Sequence, residues 1–161
     1  MALRTWSPTP ADAAALAAAW ADPEIARWTA VPDDASSAAA TRWIAVVAAP
    51  SVDAPSLDLV IIDPAQPATV LGEVGLVVVD RARRLLEVGY WIAAPHRGQG
   101  RAAAAVDQAV TWVLDPSVGW ATVIARVDPA NPASGAVARR SGFGPAGSLA
   151  DGRVLWRRDA P

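Results

Sequence analysis

Apolar residues recur at helical spacing in the first third of the chain, at alternating spacing in the middle, and in both ways towards the end. Leu3–Trp6 reads as a short strand. Thr9-Pro10 then has the form of a helix start, an N-cap followed by proline at the first helical position. The helix predicted behind it, Ala11–Ala21, puts Leu16 and Trp20 on one face. Asp22-Pro23 repeats the start signal ahead of Glu24–Trp28. Asp34–Ser37 caps a third helix at Ala38–Ala48, with Trp43 and Val47 on one stripe. Residues 49–56 carry the proline and serine of a loop.

From Leu57 the period shortens. Leu57–Asp63, Val70–Val79 and Leu85–Ile92 read as strands, separated by turns at Pro64–Pro67 and Asp80–Arg83. Links this short predict an antiparallel meander. Gly75 and Gly89 inside two of these strands point to bulges or close backbone approach. After a glycine-rich stretch, Gly100–Leu114 is helical, with Val106, Val110 and Val113 on one face. Ala121–Val127 reads as a buried strand and Asp128–Pro132 as a turn. Pro132–Ser141 then forms a helix that Gly142 ends, and Gly152–Arg158 is a last strand. The expected fold class is α+β, one domain over residues 1–161.

Composition narrows the chemistry. Hydrophobic residues are 53% of the 161 and charged residues 19%, which is a globular balance. Much of the apolar share is alanine, so the eight tryptophans must supply core volume. There is no cysteine, which excludes disulfides, thiolate-ligated zinc and thiol catalysis. His96 is the one histidine. A net charge of −2 argues against a nucleic-acid partner. The N-terminus has no apolar signal core, and no apolar run approaches the roughly 18 residues of a membrane span. A cytoplasmic protein without a membrane partner is expected, as monomer or homodimer.

Residues 90–103, Tyr-Trp-Ile-Ala-Ala-Pro-His-Arg-Gly-Gln-Gly-Arg-Ala-Ala, join the third meander strand to the next helix. Strand, glycine turn and helix start form the context of a backbone anion cradle. The helix N-terminus offers unpaired N–H groups, and Gly98 and Gly100 allow close approach. Arg97 and Arg101 add charge. The ligand this predicts is a nucleotide-type diphosphate. Gly98-Gln-Gly100-Arg-Ala-Ala103 also fits the dinucleotide fingerprint G-x-G-x-x-A. That fold begins at its motif, however, whereas this stretch lies past the middle of the chain, and the acidic residue expected about 20 positions on is missing there.

Arg97-Gly-Gln-Gly100-Arg-Ala102 resembles the R/Q-x-x-G-x-G/A signature of the GNAT superfamily of N-acetyltransferases. Gly89-Tyr-Trp-Ile-Ala-Ala-Pro resembles the strand that leads into it. Asn131-x-x-Ser134-x-x-Val137 with Ser141-Gly142-Phe143 resembles the second recurrent segment of that family. Asp22-Pro-Glu-Ile-Ala-Arg-Trp28 and Gly72-Glu-Val-Gly-Leu76 are similar to the ribosomal-protein N-acetyltransferase-like branch. The resemblance implies a GNAT-like acyl-CoA N-acyltransferase fold, a twisted mixed sheet that splays at the cofactor strand, with acetyl-CoA as cosubstrate and no metal. It implies that Arg97, Gly98, Gln99, Gly100, Arg101 and Ala102 hold the pyrophosphate. Ile92 and Ala94, beside Tyr90 and Trp91, would pair with the pantetheine amides, and Asn131 would bond the arm near the thioester. Many members carry a tyrosine seven residues after that asparagine; here the position is Ala138.

The implied reaction transfers acetyl from acetyl-CoA directly to a primary amine, of a protein N-terminus or a small molecule. A protonated amine needs a base. Glu87 and Glu73, two of three glutamates, sit among apolar strand residues, where partial burial would raise their pKa. Glu87 is slightly favoured; pairing with Arg83 or Arg84 would make it structural. Ser134 is the candidate donor to the leaving thiolate, or else a first-turn helix cap. Trp28 is the candidate acceptor-pocket residue. Arg153, Arg157 and Arg158 form a solvated face or select an acidic acceptor. Ala138 leaves a second reading open, a non-catalytic acyl-CoA-binding or sensing module.

Overall fold

The computed structural model describes residues 1–49 and 55–161, so most of the predicted 49–56 loop lies outside the described residues. The chain runs β1 (Ala2–Thr5), α1 (Pro10–Trp20), α2 (Pro23–Trp28), α3 (Ser37–Val47), β2 (Ser56–Asp63), β3 (Gln66–Asp80) and β4 (Leu85–Ile92). A 3-10 turn (Ala94–His96) leads to α4 (Arg101–Val113), β5 (Thr122–Val127), α5 (Pro132–Arg140), β6 (Gly144–Ser148) and β7 (Val154–Asp159). The start signals read in the sequence are real caps. The Thr9 hydroxyl accepts from Asp12 N at 3.2 Å, and Asp22 Oδ1 accepts from Glu24 N at 2.9 Å. The Ser36 hydroxyl accepts from Ala39 N at 3.1 Å. Caps of this kind each contribute about 1 kcal/mol.

The seven strands form one sheet in the order β1-β2-β3-β4-β5-β7-β6. β2, β3 and β4 make the antiparallel meander the sequence predicts. β4 and β5 are the parallel pair, and their register covers only Leu85–Glu87 against Thr122–Ile124. Beyond Glu87 the two strands part, so the mixed sheet opens at its middle. The register shifts lie at Ile61–Asp63 and between Val78 and Asp80, not at Gly75 or Gly89. Gly75 instead has a close neighbour, Asp58 Oδ1, 3.0 Å from where a Cβ would stand, while a Cβ at Gly89 would meet nothing within 4 Å.

Each face of the sheet carries its own core. Ile61, Val74, Leu76, Leu86, Val88 and Val123 pack against α4 and α5. Val60, Ile62 and Val70 pack with Trp6, Leu16 and Ile44 under α1 and α3. Burying each such aliphatic side chain contributes about 1.5–3 kcal/mol. On α3 the buried positions are Ala40 and Ile44, while the predicted stripe residues Trp43 and Val47 pack only partly, at its edge. Trp6 and Trp20 each meet Trp43 edge to face, with ring centroids 6.2 and 6.1 Å apart. The tryptophans thus supply bulk between alanine-rich helices. Asp12, 2% exposed, accepts two 2.7 Å hydrogen bonds from Arg4 and one of 2.9 Å from Ser7 N, and so ties α1 to β1.

The strand β6 has no counterpart in the sequence reading. Gly-Pro-Ala-Gly-Ser carries no alternating pattern, and all five residues are exposed. It is a strand because β7 offers it an edge to pair with.

Candidate functional site

Opening the sheet leaves backbone groups of β4 without a strand partner. The Ala93 N–H donates to the Leu71 carbonyl at 2.9 Å. Backbone groups alternate sides along a strand, so those of Tyr90 and Ile92 face away from β3, into the gap. At its far end the gap meets the N-terminus of α4. Gly100 is the N-cap with φ 73°, Gly98 has φ 75°, and no side chain caps the helix. A residue with a Cβ resists that left-handed backbone by about 1 kcal/mol or more. The first-turn N–H groups of Arg101, Ala102 and Ala103 have no partner within the helix, and the helix dipole favours an anion there. Opposite, Asn131 caps α5, its Oδ1 accepting from Ser134 N at 3.0 Å. The buried Ser141 hydroxyl lies 3.0 Å from the carbonyls of Ala103 and Val137 and joins the two helices.

A cavity of about 320 Å³ follows this gap. Tyr90, Trp91 and Ile92 line one wall, Arg97, Gly98 and Gly100–Ala102 its end, and Asn131 and Ser134 the other wall. Trp28 closes it from α2. Most of the predicted ligand-holding residues therefore meet in one place, although they span more than a hundred positions of sequence. Ala94 and Gln99 are exposed on the surrounding loop and do not line the cavity. Sequence reasoning missed Glu24, Thr29 and Arg140, which also line it; no spacing signal marks them.

A second cavity of about 290 Å³ opens where β4 and β5 diverge. Tyr90, Asn131 and Ser134 connect it to the first, and Trp28 borders both. Arg27, Arg126 and Arg153 stand at its mouth. Arg153 is bonded to Asp151 at 2.6 and 2.8 Å. Arg157 pairs with Asp159, and Arg158 reaches Asp107 and Thr111 on α4. Of the three C-terminal arginines, only Arg153 reaches the site.

The two candidate bases differ sharply. Glu87 accepts the Nε and Nη2 hydrogen bonds of Arg126 across to β5. Its partner is neither Arg83 nor Arg84, and its oxygens are occupied by a guanidinium. Glu73 lies on β3, half-buried. Burial and the charge of Asp58 push its carboxyl up to about 8, against the hydrogen bonds of the Trp6 and Trp91 indoles. The Trp6 bond is 2.9 Å. Asp58 is also raised by burial, with the Ser56 hydroxyl 2.7 Å away opposing it. Glu73 Oε1 and Asp58 Oδ1 both lie over Gly75, at 3.9 and 3.0 Å from its missing Cβ. Gly75 pairs in register with Gly89, where the floor is open.

The Tyr90 hydroxyl donates to the Ser134 carbonyl at 3.0 Å, and burial raises its pKa despite that bond. The Ser134 hydroxyl makes no hydrogen bond among the described residues, and the cap of α5 is Asn131 instead. Ala138 is 1% exposed inside the core, so that position offers no side chain to the site. His96 lines the first cavity beside the glycine turn. Among the described residues no group of three or more metal-ligating side chains comes together. No described helix is long and apolar enough to cross a membrane.

A mixed sheet opened between two parallel strands, with an uncapped helix N-terminus at the opening, is an arrangement suited to a phosphate-bearing ligand with an extended arm. The chain belongs to the acetyltransferase (GNAT) domain family, whose model matches residues 1–144, and its cosubstrate is acetyl-CoA. No curated protein sequence matches it. Its fold is similar to that of the microcin C7 self immunity acetyltransferase MccE, solved with acetyl-CoA and AMP. That match has 18% identity and a TM-score of 0.80, and covers 98% of this chain and 91% of the other. It is also similar to a ribosomal-protein-S5-alanine acetyltransferase from Vibrio fischeri, at 16% identity and TM-score 0.82, over 98% and 92% of the two chains. A third is the Vibrio cholerae spermidine N-acetyltransferase, solved with CoA and spermine, at 16% identity and TM-score 0.76, over 97% and 92%. The names of these three proteins span microcin C7 immunity, a ribosomal protein and spermidine.

Proposed function

We propose that this protein transfers the acetyl group of acetyl-CoA directly to a primary amine, with Glu73 as the base. The observation that carries the reading is the Glu73 carboxyl, poised near neutrality at about 8 and set beside Gly75, whose register partner Gly89 lines the second cavity. A base works best when its pKa lies near the working pH. Glu87 is the poorer choice because Arg126 occupies its oxygens.

In this reading acetyl-CoA supplies the acetyl thioester. The uncapped N–H groups of Arg101, Ala102 and Ala103 hold its pyrophosphate, and the gap-facing groups of Tyr90 and Ile92 hold its arm. Asn131 keeps its side-chain N–H₂ for the arm, because its oxygen is engaged at α5. The acceptor enters through the second cavity, past Trp28, and gives its proton to Glu73. As the new C–N bond forms, a β4 N–H facing the gap stabilises the carbonyl oxygen that gains charge. The C–S bond then breaks, and the departing thiolate, hydrogen-bonded by the Ser134 hydroxyl, takes up the second proton released by the acceptor nitrogen and leaves as the thiol. A peptide N-terminus and a small-molecule amine both fit this chemistry.

Thiol release from acetyl-CoA, followed over a panel of peptide N-termini, polyamines and amino acids, tests the reading. Turnover of at least one amine is expected, with kcat/KM rising with pH until Glu73 is ionised. Glu73→Gln is expected to lower kcat by about a hundredfold and to remove that limb of the profile. An unchanged profile in Glu73→Gln would exclude it as the base.

A further inference from the structure

Arg97 belongs to the glycine turn, yet its side chain does not lie free beside the anion site. Its Nε donates to the Ile92 carbonyl at 2.9 Å, at the end of β4. Its Nη2 donates to Asp22 Oδ2 at 2.7 Å, 75 residues away in sequence. Asp22 is the N-cap of α2, and its other oxygen accepts from Glu24 N at 2.9 Å and Ile25 N at 3.3 Å. Despite some desolvation, those two N–H groups and the Arg97 guanidinium hold the Asp22 carboxyl below the usual range. One ion pair thus bridges the turn at the end of β4 and the start of a six-residue helix. Ile25 is the one buried residue of that helix, so little else fixes its angle. Glu24 and Trp28 on α2 face the same cavity as residues 97–102, and Trp28 also borders the second cavity.

We infer that Asp22 and Arg97 are a positioning pair that couples acetyl-CoA binding to the acceptor wall. Neither touches the reacting atoms. When the turn at Gly98–Gly100 orders around a diphosphate, Arg97 is held against the Ile92 carbonyl, and Asp22 carries that order into α2. Trp28 is thereby set at the junction of the two cavities before an amine arrives. Coupling of this kind is reciprocal, so an acceptor seated on Trp28 tightens the turn around its ligand. The inference rests on the reading of the glycine turn as the acetyl-CoA site.

The test uses the full chain with Asp22→Asn and, separately, Arg97→Lys. Asparagine keeps the oxygen that caps α2 but loses the ion pair. Lysine keeps the charge but cannot span two acceptors as the guanidinium fork does. Acetyl-CoA binding is measured by calorimetry, and hydrogen exchange of residues 23–29 is followed with and without acetyl-CoA. In the wild type, acetyl-CoA is expected to slow exchange of that segment by about tenfold. Asp22→Asn is expected to bind acetyl-CoA within about threefold of wild type yet lose most of that protection, and Arg97→Lys is expected to lose the protection as well. With an amine that turns over, KM of Asp22→Asn for the amine is expected to rise about tenfold while its KM for acetyl-CoA barely moves.

Full protection in Asp22→Asn would overturn the inference. So would faster exchange of residues 23–29 by the same factor with and without ligand, because that is a purely structural role. Tighter acetyl-CoA binding by Asp22→Asn would also overturn it, by showing that Arg97 is a phosphate ligand that Asp22 withholds. A wild type that binds no acetyl-CoA would instead overturn the reading of the glycine turn, and the inference with it; calorimetry alone separates that case from the others.

Discussion

Glu73 keeps its proton into the neutral range because its carboxylate is desolvated in the fold and Asp58 faces it across Gly75. The folded chain therefore holds a proton that the unfolded chain gives up at ordinary carboxylate pH. The stability that Glu73 contributes is fully present below its unfolded value of 4.5 and is lost as pH rises through about 8, by up to about 1.4 kcal/mol per pH unit. Asp58, shifted the same way, adds to that slope at its lower end. Thermal unfolding from pH 5 to 8 is expected to show a falling Tm, flattened in Glu73→Gln. The glycine turn makes a separate prediction. Gly100→Ala places a Cβ on a backbone with φ 73°, at a cost of about 1 kcal/mol, so KM for acetyl-CoA should rise roughly fivefold with kcat little changed. At this scale the sequence was an uneven guide. Residues acting through their backbone, such as Gly98 and Gly100, are legible because a positive φ selects glycine. The roles of Glu73 and Glu87 are not. What separates them is Arg126 on one side and two indoles on the other, all distant in sequence.

The helices begin where their caps and prolines say they should, because those signals act within one turn. The strands β2 to β4 follow the alternating pattern for a similar reason, their partners being neighbours in sequence. The strand β6 fails both tests. It is made by its partner, and nothing local announces it. In the layer that carries the acceptor wall, the Arg4–Asp12 pair ties β1 to α1 beside the core of Trp6, Leu16 and Ile44. Arg4→Ala would leave a 2%-exposed carboxylate without its charge partner, at about 3 kcal/mol. A fall in Tm of roughly 10 °C is the expected result by scanning calorimetry. Acetyl-CoA binding at saturation should survive, since the α4 N-terminus lies on the other side of the sheet's core.

For the molecule as a whole, the divergence of β4 and β5 is the decisive feature. A ligand lying between them supplies contacts that the sheet itself lacks. Acetyl-CoA at about a hundred times its Kd is expected to stabilise the chain by about 2.7 kcal/mol, read as a Tm rise of roughly 5–10 °C. The cradle was determined by sequence alone. A strand, two glycines and a helix start are contiguous, and each constrains the backbone within a few residues. So were the helix starts, the meander, and the absence of any thiol chemistry. The tertiary structure alone decided how far β4 and β5 run together, which of two glutamates is held by an arginine, and that Arg97 is held by Asp22. Those outcomes depend on where strands part and on charged side chains brought together from separate elements, and neither leaves a periodic trace along a chain.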